Sequence, residues 1–272
     1  MSTVVNYELE YNNRVRVPEN PAIISGWQND AACYRERQPP HIVRYGPGSR
    51  NTIDFFSASE QRPIVVFIHG GYWQALDGSY FSHLAGGLNA HGVSVAIPSY
   101  DLCPAVTVND IIGQMRRALR ELARFGRPLV MSGHSAGGHL AACMLATDWP
   151  AYDSSLPGDL VLAAYCISGL FDLGPLVETS INNALHLDPV SARAASPLFW
   201  KAPARGILHA VVGQHETAEY FRQSKAIVDC WGAAGVASRL DMIPDANHFT
   251  VISGLADPQS PMTLRLMELA ER

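Results

Sequence analysis

Residues 128–142, PLVMSGHSAGGHLAA, contain the residue best suited to covalent chemistry. The apolar stretch 129–131 leads into GHSAG, which places Ser135 between Gly133 and Gly137 ahead of a small-residue helical pattern. A serine at the apex of a strand–turn–helix has a strained backbone, and the first N–H groups of the helix point at whatever its hydroxyl attacks. A Cβ at either glycine would collide with the neighbouring chain. The pattern predicts a nucleophilic Ser135, against the alternative of a chance match in a chain with 22 glycines.

A serine hydroxyl needs a base within hydrogen-bonding reach, and that base needs an acid to orient it. The serine turn resembles the nucleophile elbow of α/β-hydrolases, and this resemblance implies that the acid and then the histidine follow the serine at later strand ends. His248 comes just after the last predicted strand, 238–243, so it is the candidate base; the alternative is a surface-loop histidine. Four other downstream histidines fit this position less well: His139, His186, His209 and His215.

The candidate acid is Glu216, in the loop that follows the predicted strand 206–212. Glu219 is the first alternative, although a glutamate there is also expected in the first turn of the next helix, where it favours the helix dipole. Asp245 is a weaker alternative because it lies only three residues before His248. Both aspartate and glutamate serve as the acid of such triads.

Acyl transfer also needs N–H donors that are fixed in place before the oxyanion forms. The sequence HGGY at 69–72 follows a buried strand, and its glycines allow the backbone to approach a substrate closely. We predict an oxyanion hole from the backbone N–H groups of Gly71, Tyr72 and Ala136, with Gly70 as a further candidate. The alternative is an ordinary Gly-Gly turn.

Two aromatic side chains beside these loops are candidates for substrate binding. Trp73 borders the Gly-Gly loop, and Phe171 follows the strand after Ser135. Both could line an aromatic acyl or amine site. An equally good interpretation is that each packs in the core.

Strands and helices alternate along the rest of the chain. Continuous apolar stretches at 63–68, 93–98, 160–167 and 206–212 are typical of strands buried on both faces. Helical patterns cover 24–37, 80–90, 107–125, 218–234 and 261–271, and the segments 41–45 and 51–57 predict a hairpin. This order predicts a mostly parallel, doubly wound sheet with helices on both faces. No dinucleotide-binding or P-loop motif is present, which argues against a nucleotide-binding domain.

The composition indicates a single domain that spans residues 1–272, and it argues against several classes of partner. The chain is 47% hydrophobic, has a net charge of −5 and has no block of like charge, so we expect neither nucleic acid nor a membrane as partner. Its five cysteines are scattered, which predicts free thiols and no metal site. The first residues do not resemble a signal peptide, so we expect a cytoplasmic protein.

These motifs resemble the kynurenine formamidase (arylformamidase) branch of the α/β-hydrolases, close to the hormone-sensitive-lipase-like esterases. The resemblance rests on HGGYW at 69–73, GHSAGGHLA at 133–141 and SGLFDLGPL at 168–176. Further matches are YNN at 11–13, SPL at 196–198 and EYFRQS at 219–224. The family's nucleophile falls on Ser135 and its histidine on His248. Its acid, usually an aspartate, falls on Glu216.

The resemblance implies an α/β-hydrolase fold. The irregular, proline-interrupted stretch 171–200 lies between two predicted strands and predicts a small lid-like insertion, which together with the N-terminal segment 1–40 would cover the active site. The resemblance also implies a cofactor-free enzyme that hydrolyses N-formyl-L-kynurenine or a similar aryl formamide in tryptophan catabolism. A general small-molecule carboxylesterase or amidase is the first alternative, and a non-enzymatic binder on a hydrolase scaffold is the second. Family members often form homodimers, and the sequence leaves the oligomeric state open.

Overall fold

The protein is described by a computed structural model that covers residues 5–59 and 61–271. The strands, numbered in chain order, are β1 His41–Arg44, β2 Thr52–Phe56, β3 Ile64–Ile68, β4 Val95–Pro98, β5 Leu129–His134, β6 Val161–Ile167, β7 Ile207–Gly213 and β8 Ala237–Ile243. They form one sheet in the order β1-β2-β4-β3-β5-β6-β7-β8. The β1–β2 and β2–β4 pairs are antiparallel, and all other neighbours are parallel. The mostly parallel sheet predicted from the sequence is thereby confirmed.

Helices cover both faces of this sheet. The α-helices are α1 Tyr7–Tyr11, α2 Asn13–Arg16, α3 Asn20–Arg37, α4 Ala85–Asn89, α5 Val108–Ala123, α6 Ala136–Leu145, α7 Trp149–Tyr152, α8 Asn182–Leu185, α9 Pro189–Ala194, α10 Ala218–Ala233 and α11 Pro261–Ala270. Short 3₁₀-helices span Gly78–Leu84, Gly174–Glu178, Pro197–Phe199 and Ser253–Ala256. Buried side chains of α5, α6 and α10 form the core on one face, and those of α3, α4 and α11 form the core on the other.

Strand β3 shows why a continuous apolar stretch predicts a central strand. All five of its side chains are buried. Ile64, Val66 and Ile68 pack into one core and Val65 and Phe67 into the other, because successive side chains of a strand point to opposite faces. The strand therefore needs apolar residues at every position, as its sequence provides.

Helix boundaries differ from the prediction where tertiary contacts override the local pattern. Helix α3 begins at Asn20 rather than at residue 24, with a proline in its first turn, a position that proline tolerates well. The segment predicted as one helix over 80–90 begins as a 3₁₀-helix and continues as α4. The sequence did not predict the short helices α1 and α2, and each makes a contact outside itself. In α1 the Glu8 carboxylate accepts hydrogen bonds from the backbone N–H and the hydroxyl of Ser180. In α2 the Asn13 side chain donates to the hydroxyl of Tyr220.

Within the described residues, no helix combines the length and the apolar character needed to cross a membrane.

The packing of α5 yields a first prediction. Leu119 is fully buried against the sheet. Leu119→Ala should lower the free energy of unfolding by about 2–5 kcal/mol, because it removes buried methyl groups and leaves a cavity. Urea denaturation followed by circular dichroism measures this change. The control is Arg124→Ala, because the Arg124 side chain is 78% exposed and its substitution should change stability by about 0.5 kcal/mol or less. Equal losses for both variants would contradict the assigned core.

Candidate active site

Ser135 occupies the turn between β5 and α6. Its φ of 56° is in the left-handed region, which non-glycine residues rarely adopt. Its backbone N–H donates to the carbonyl of Ile167 at the end of the adjacent strand β6, at 2.8 Å. The turn therefore brings the serine to the C-terminal edge of the parallel strands, as the motif predicted.

Glycines at the turn allow the chain to cross itself at very short range. A Cβ placed on Gly137 would lie 1.9 Å from the carbonyl oxygen of Ile68, and one on Gly133 would lie 2.2 Å from the carbonyl oxygen of Gly137. A Cβ on Gly70 would lie 3.1 Å from the Cβ of Ser135. Because Gly133, Gly137 and Gly70 have no side chains, the serine turn packs closely on its neighbouring strand, and the Gly-Gly loop packs against the turn.

Glu216 and His248 form a buried pair. Glu216 Oε2 lies 2.7 Å from His248 Nδ1, and their side chains are 0% and 7% exposed. Glu216 Oε1 accepts hydrogen bonds from the backbone N–H of Gly213 and from the hydroxyl of Ser168. Because an ionised carboxylate only accepts, the Nδ1 proton of His248 points at Glu216, which leaves Nε2 as the atom able to take a proton.

The alternative acids are placed elsewhere. Glu219 lies in the first turn of α10, where its carboxylate accepts hydrogen bonds from the hydroxyl of Tyr11 and from the guanidinium of Arg222. Asp245 has a side chain that is 94% exposed. Of the three carboxylates considered from the sequence, only Glu216 hydrogen-bonds to His248.

The other downstream histidines are also engaged elsewhere. His139 is buried within α6 and donates to the carbonyl of Ala195. His209 lies within β7 and pairs with Asp241. His186 ends α8, and the His215 side chain is 58% exposed.

Three residues at the site were not predicted to act there. Ser168 supports Glu216, whereas His134 and Tyr220 place their rings 4.7 Å and 4.6 Å from the imidazole of His248. Burial, reinforced by the nearby His248, lowers the pKa of His134 well below its usual value, so its ring is neutral. Position 134 is the variable residue of G-x-S-x-G, and nothing in the sequence next to Tyr220 indicates its proximity to Ser135.

Two of the predicted oxyanion donors, Gly71 and Tyr72, line the same cavity as Ser135, and the third, Ala136, follows Ser135 in the chain. Gly71 and Tyr72 have φ values of 105° and 50°, so the loop follows a left-handed path. Within the part of the chain that the structure describes, the backbone N–H groups of Gly71, Tyr72 and Ala136 have no hydrogen-bond acceptor. These donors are therefore available to a substrate oxygen.

A cavity of about 320 Å³ opens onto these groups. Ser135, His248, Gly71 and Tyr72 lie in its lining. Both apolar and polar or charged residues line it. The apolar set is Ile24, Trp27, Leu76, Ile181 and Phe249, and the polar set is Asn12, Asn13, Arg14, Gln74 and Ser180.

The structure corrects the prediction that Trp73 and Phe171 line the substrate site. Both side chains are 0% exposed and belong to the core on the α5–α6 face, and neither lines the cavity. Trp73 packs edge-on against His139, with ring centroids 5.0 Å apart. Large apolar side chains at strand ends are buried most favourably in the core, and here Trp27 and Phe249 provide the aromatic wall instead.

A mostly parallel sheet with a serine turn, a Glu–His pair and free N–H donors at one edge defines a class of enzymes. Residues 65–271 match the model of the alpha/beta hydrolase family, and the chain belongs to that family.

Comparisons with individual proteins agree with this family assignment. The kynurenine formamidase of Danio rerio is 29% identical over 84% of this chain and 80% of its own length. The crystal structure of a candidate thioesterase from Silicibacter sp. TM1040 is 32% identical, superimposes with a TM-score of 0.86 and covers 97% of this chain and 100% of that one. The esterase of Pyrobaculum calidifontis has the same fold, with a TM-score of 0.71 at 16% identity over 92% of each chain.

The close crossing at the serine turn yields a second prediction. Gly137→Ala should yield little folded protein or lower the free energy of unfolding by more than about 3 kcal/mol, because a backbone carbonyl occupies the space of the new methyl group. Expression yield and urea denaturation measure the effect. Gly113→Ala is the matched control: Gly113 is also helical, and its nearest atom is 3.8 Å away at the end of an arginine side chain. That substitution should be neutral or stabilise by about 1 kcal/mol.

Proposed function

We propose that the protein is a serine hydrolase that cleaves an aryl formamide resembling N-formyl-L-kynurenine, or a small ester, through an acyl-enzyme. The observation that carries the proposal is the 2.7 Å contact between Glu216 and His248 at a cavity that Ser135 also lines. In this mechanism Ser135 is the nucleophile, His248 the base and Glu216 the acid that orients it.

The reaction begins when His248 Nε2 takes the proton of the Ser135 hydroxyl as Oγ attacks the formyl carbonyl. A bond forms between Oγ and the carbonyl carbon, and the carbonyl oxygen becomes an oxyanion. The imidazolium then gives its proton to the leaving amine, the carbon–nitrogen bond breaks, and a formyl ester remains on Ser135. Water, activated by the same imidazole, releases formate and restores the serine.

The oxyanion is stabilised by backbone donors that need not rearrange. The N–H groups of Gly71, Tyr72 and Ala136 already lack protein acceptors among the described residues. Fixed donors of this kind stabilise charge that develops in the transition state more than they stabilise the substrate. Glu216 meanwhile stabilises the imidazolium with a carboxylate whose position Gly213 and Ser168 fix.

Two features support a formamide substrate. The kynurenine formamidases of Danio rerio and Drosophila melanogaster match most of this chain, and the cavity has an aromatic wall, Trp27 and Phe249, suited to an aryl ring. With that substrate the enzyme would act in tryptophan catabolism.

The similarity to esterase structures supports a general carboxylesterase or amidase as the second candidate. A role as a non-enzymatic binder is disfavoured because all three proposed catalytic positions carry competent residues.

The choice of acid is tested by comparing two nearby glutamates. Glu216→Ala should lower kcat by about 10³-fold, since the imidazole loses the group that orients it. Glu219→Ala should lower kcat by less than about tenfold, because that carboxylate interacts with Tyr11 and Arg222 instead. Steady-state kinetics on an aryl formate measures both. Similar losses in the two variants would show that Glu216 does not have the assigned role.

The substrate class is tested with N-formylkynurenine and p-nitrophenyl acetate. A kcat/KM more than about 100-fold higher for the formamide, equivalent to about 2.7 kcal/mol in the transition state, would favour the formamidase. A preference for the acetate would favour the general esterase. Ser135→Ala should abolish turnover of both, and an organophosphate should label the wild-type serine but not the variant. Unchanged turnover in Ser135→Ala would refute the acyl-enzyme mechanism.

A further inference from the structure

A chain of hydrogen bonds connects the N-terminal segment to the serine. The hydroxyl of Tyr72 lies 2.6 Å from the carbonyl oxygen of Tyr11 and 2.7 Å from the hydroxyl of Tyr220. The side-chain nitrogen of Asn13 lies 2.7 Å from the same Tyr220 hydroxyl and 3.4 Å from that of Tyr72. We call Asn13, Tyr72 and Tyr220, with the carbonyl of Tyr11, the Asn13 network.

The directions of these hydrogen bonds are determined by one group that can only accept. The carbonyl of Tyr11 takes the single proton of Tyr72, so the proton shared by the two phenols belongs to Tyr220 and points at Tyr72. The oxygen of Tyr220 can then only accept, and the nearby Asn13 amide must present its nitrogen to it. Burial raises the pKa of both phenols, so each keeps its proton.

The amide oxygen of Asn13 is consequently directed away from both phenols. Asn13 lines the cavity, and its Oδ1 accepts no hydrogen bond from any residue that the structure describes. It is also not one of the sealed polar atoms that lack a partner, so Oδ1 keeps accessible surface on a residue that lines the cavity. A buried amide whose nitrogen is fixed and whose oxygen has no partner is well suited to accept a hydrogen bond from a substrate.

The Asn13 network also lies close to the reacting atoms. The ring of Tyr220 packs on the imidazole of His248, with centroids 4.6 Å apart. Burial raises the pKa of Tyr220, whereas hydrogen bonds with Tyr72, Asn13 and the Ser135 hydroxyl lower it. A single phenol oxygen thus separates the Asn13 amide from Ser135, and the ring of that phenol packs on His248, the residue that would protonate the leaving nitrogen.

We propose that Asn13 Oδ1 accepts the N–H of the scissile bond and thereby selects secondary amides, such as aryl formamides, over the corresponding esters. This inference rests on the proposed function and adds a specificity-determining residue to it. A secondary formamide carries one hydrogen on the nitrogen that leaves. The bridging oxygen of an ester has only lone pairs there, which gain nothing from an acceptor. Tyr220 and Tyr72 are positioning residues, because they act by orienting the amide.

The experiment compares formanilide with phenyl formate, two substrates that differ only in N–H against O at the scissile bond. Asn13→Ala should lower kcat/KM for formanilide by about tenfold, the value of one hydrogen bond of about 1.4 kcal/mol, and for phenyl formate by less than about twofold. Asn6→Ala is the matched control on the same segment: its exposed side chain only caps α1. That variant should leave the ratio of the two substrates unchanged.

Equal losses on both substrates in Asn13→Ala, or no loss on either, would refute the inference while leaving the hydrolase mechanism intact. Failure of the wild-type enzyme to hydrolyse either substrate would instead refute the proposed function, and this inference with it. If circular dichroism shows that Asn13→Ala is misfolded, Tyr220→Phe makes the same test. It keeps the ring against His248 but removes the hydroxyl that orients Asn13, and this hydroxyl also contacts Tyr72 and Ser135. Loss of the Ser135 contact would affect both substrates, so the readout is the ratio of the two rates: the preference for formanilide should fall, and an unchanged preference would overturn the inference.

Discussion

The approach of Gly137 to the carbonyl oxygen of Ile68 is the contact on which the site depends. It presses the start of α6 onto the end of β3, and no side chain larger than hydrogen fits between them. The turn that carries Ser135 and the loop that carries Gly71 are then neighbours by construction, because the loop continues directly from β3. The relative position of the proposed nucleophile and the proposed oxyanion donors therefore depends on one backbone contact.

The parallel sheet brings the remaining groups to the same edge. The loops after β3, β5, β6, β7 and β8 carry in turn the proposed oxyanion donors, Ser135, Ser168, Glu216 and His248. Strands β3, β5, β6 and β7 bury nearly all of their side chains on both faces, so the loops at their ends start from a rigid base, whereas β8 lies at the edge of the sheet and is partly exposed. Glu216 has a partner for each oxygen, namely His248 for one, and Gly213 with Ser168 for the other. The acid is consequently held by three different strand ends.

The sequence was sufficient for the features that depend on local pattern or chain order. Two-faced strands such as β3 are continuous apolar stretches, and the order of serine, acid and histidine pointed to Glu216 and His248, which the structure brings together. It was insufficient where side-chain direction matters: an aromatic residue near a strand end, such as Trp73, can point into the core or into the cavity. It also could not show that Asn13 meets Tyr220, because residues so distant along the chain meet only through the fold.

The proposed reactive groups and part of the wall that selects the substrate come from different parts of the chain, because the N-terminal segment is attached separately from the sheet. Residues 11–14 line the cavity yet belong to no strand, and Glu8 connects this segment to Ser180, which lines the same cavity. The loops at the strand ends carry the proposed reactive groups, whereas this segment forms part of the cavity wall. Sequence changes at its cavity-lining residues can thus alter which molecules the cavity admits while the loops that carry the proposed reactive groups keep their sequence.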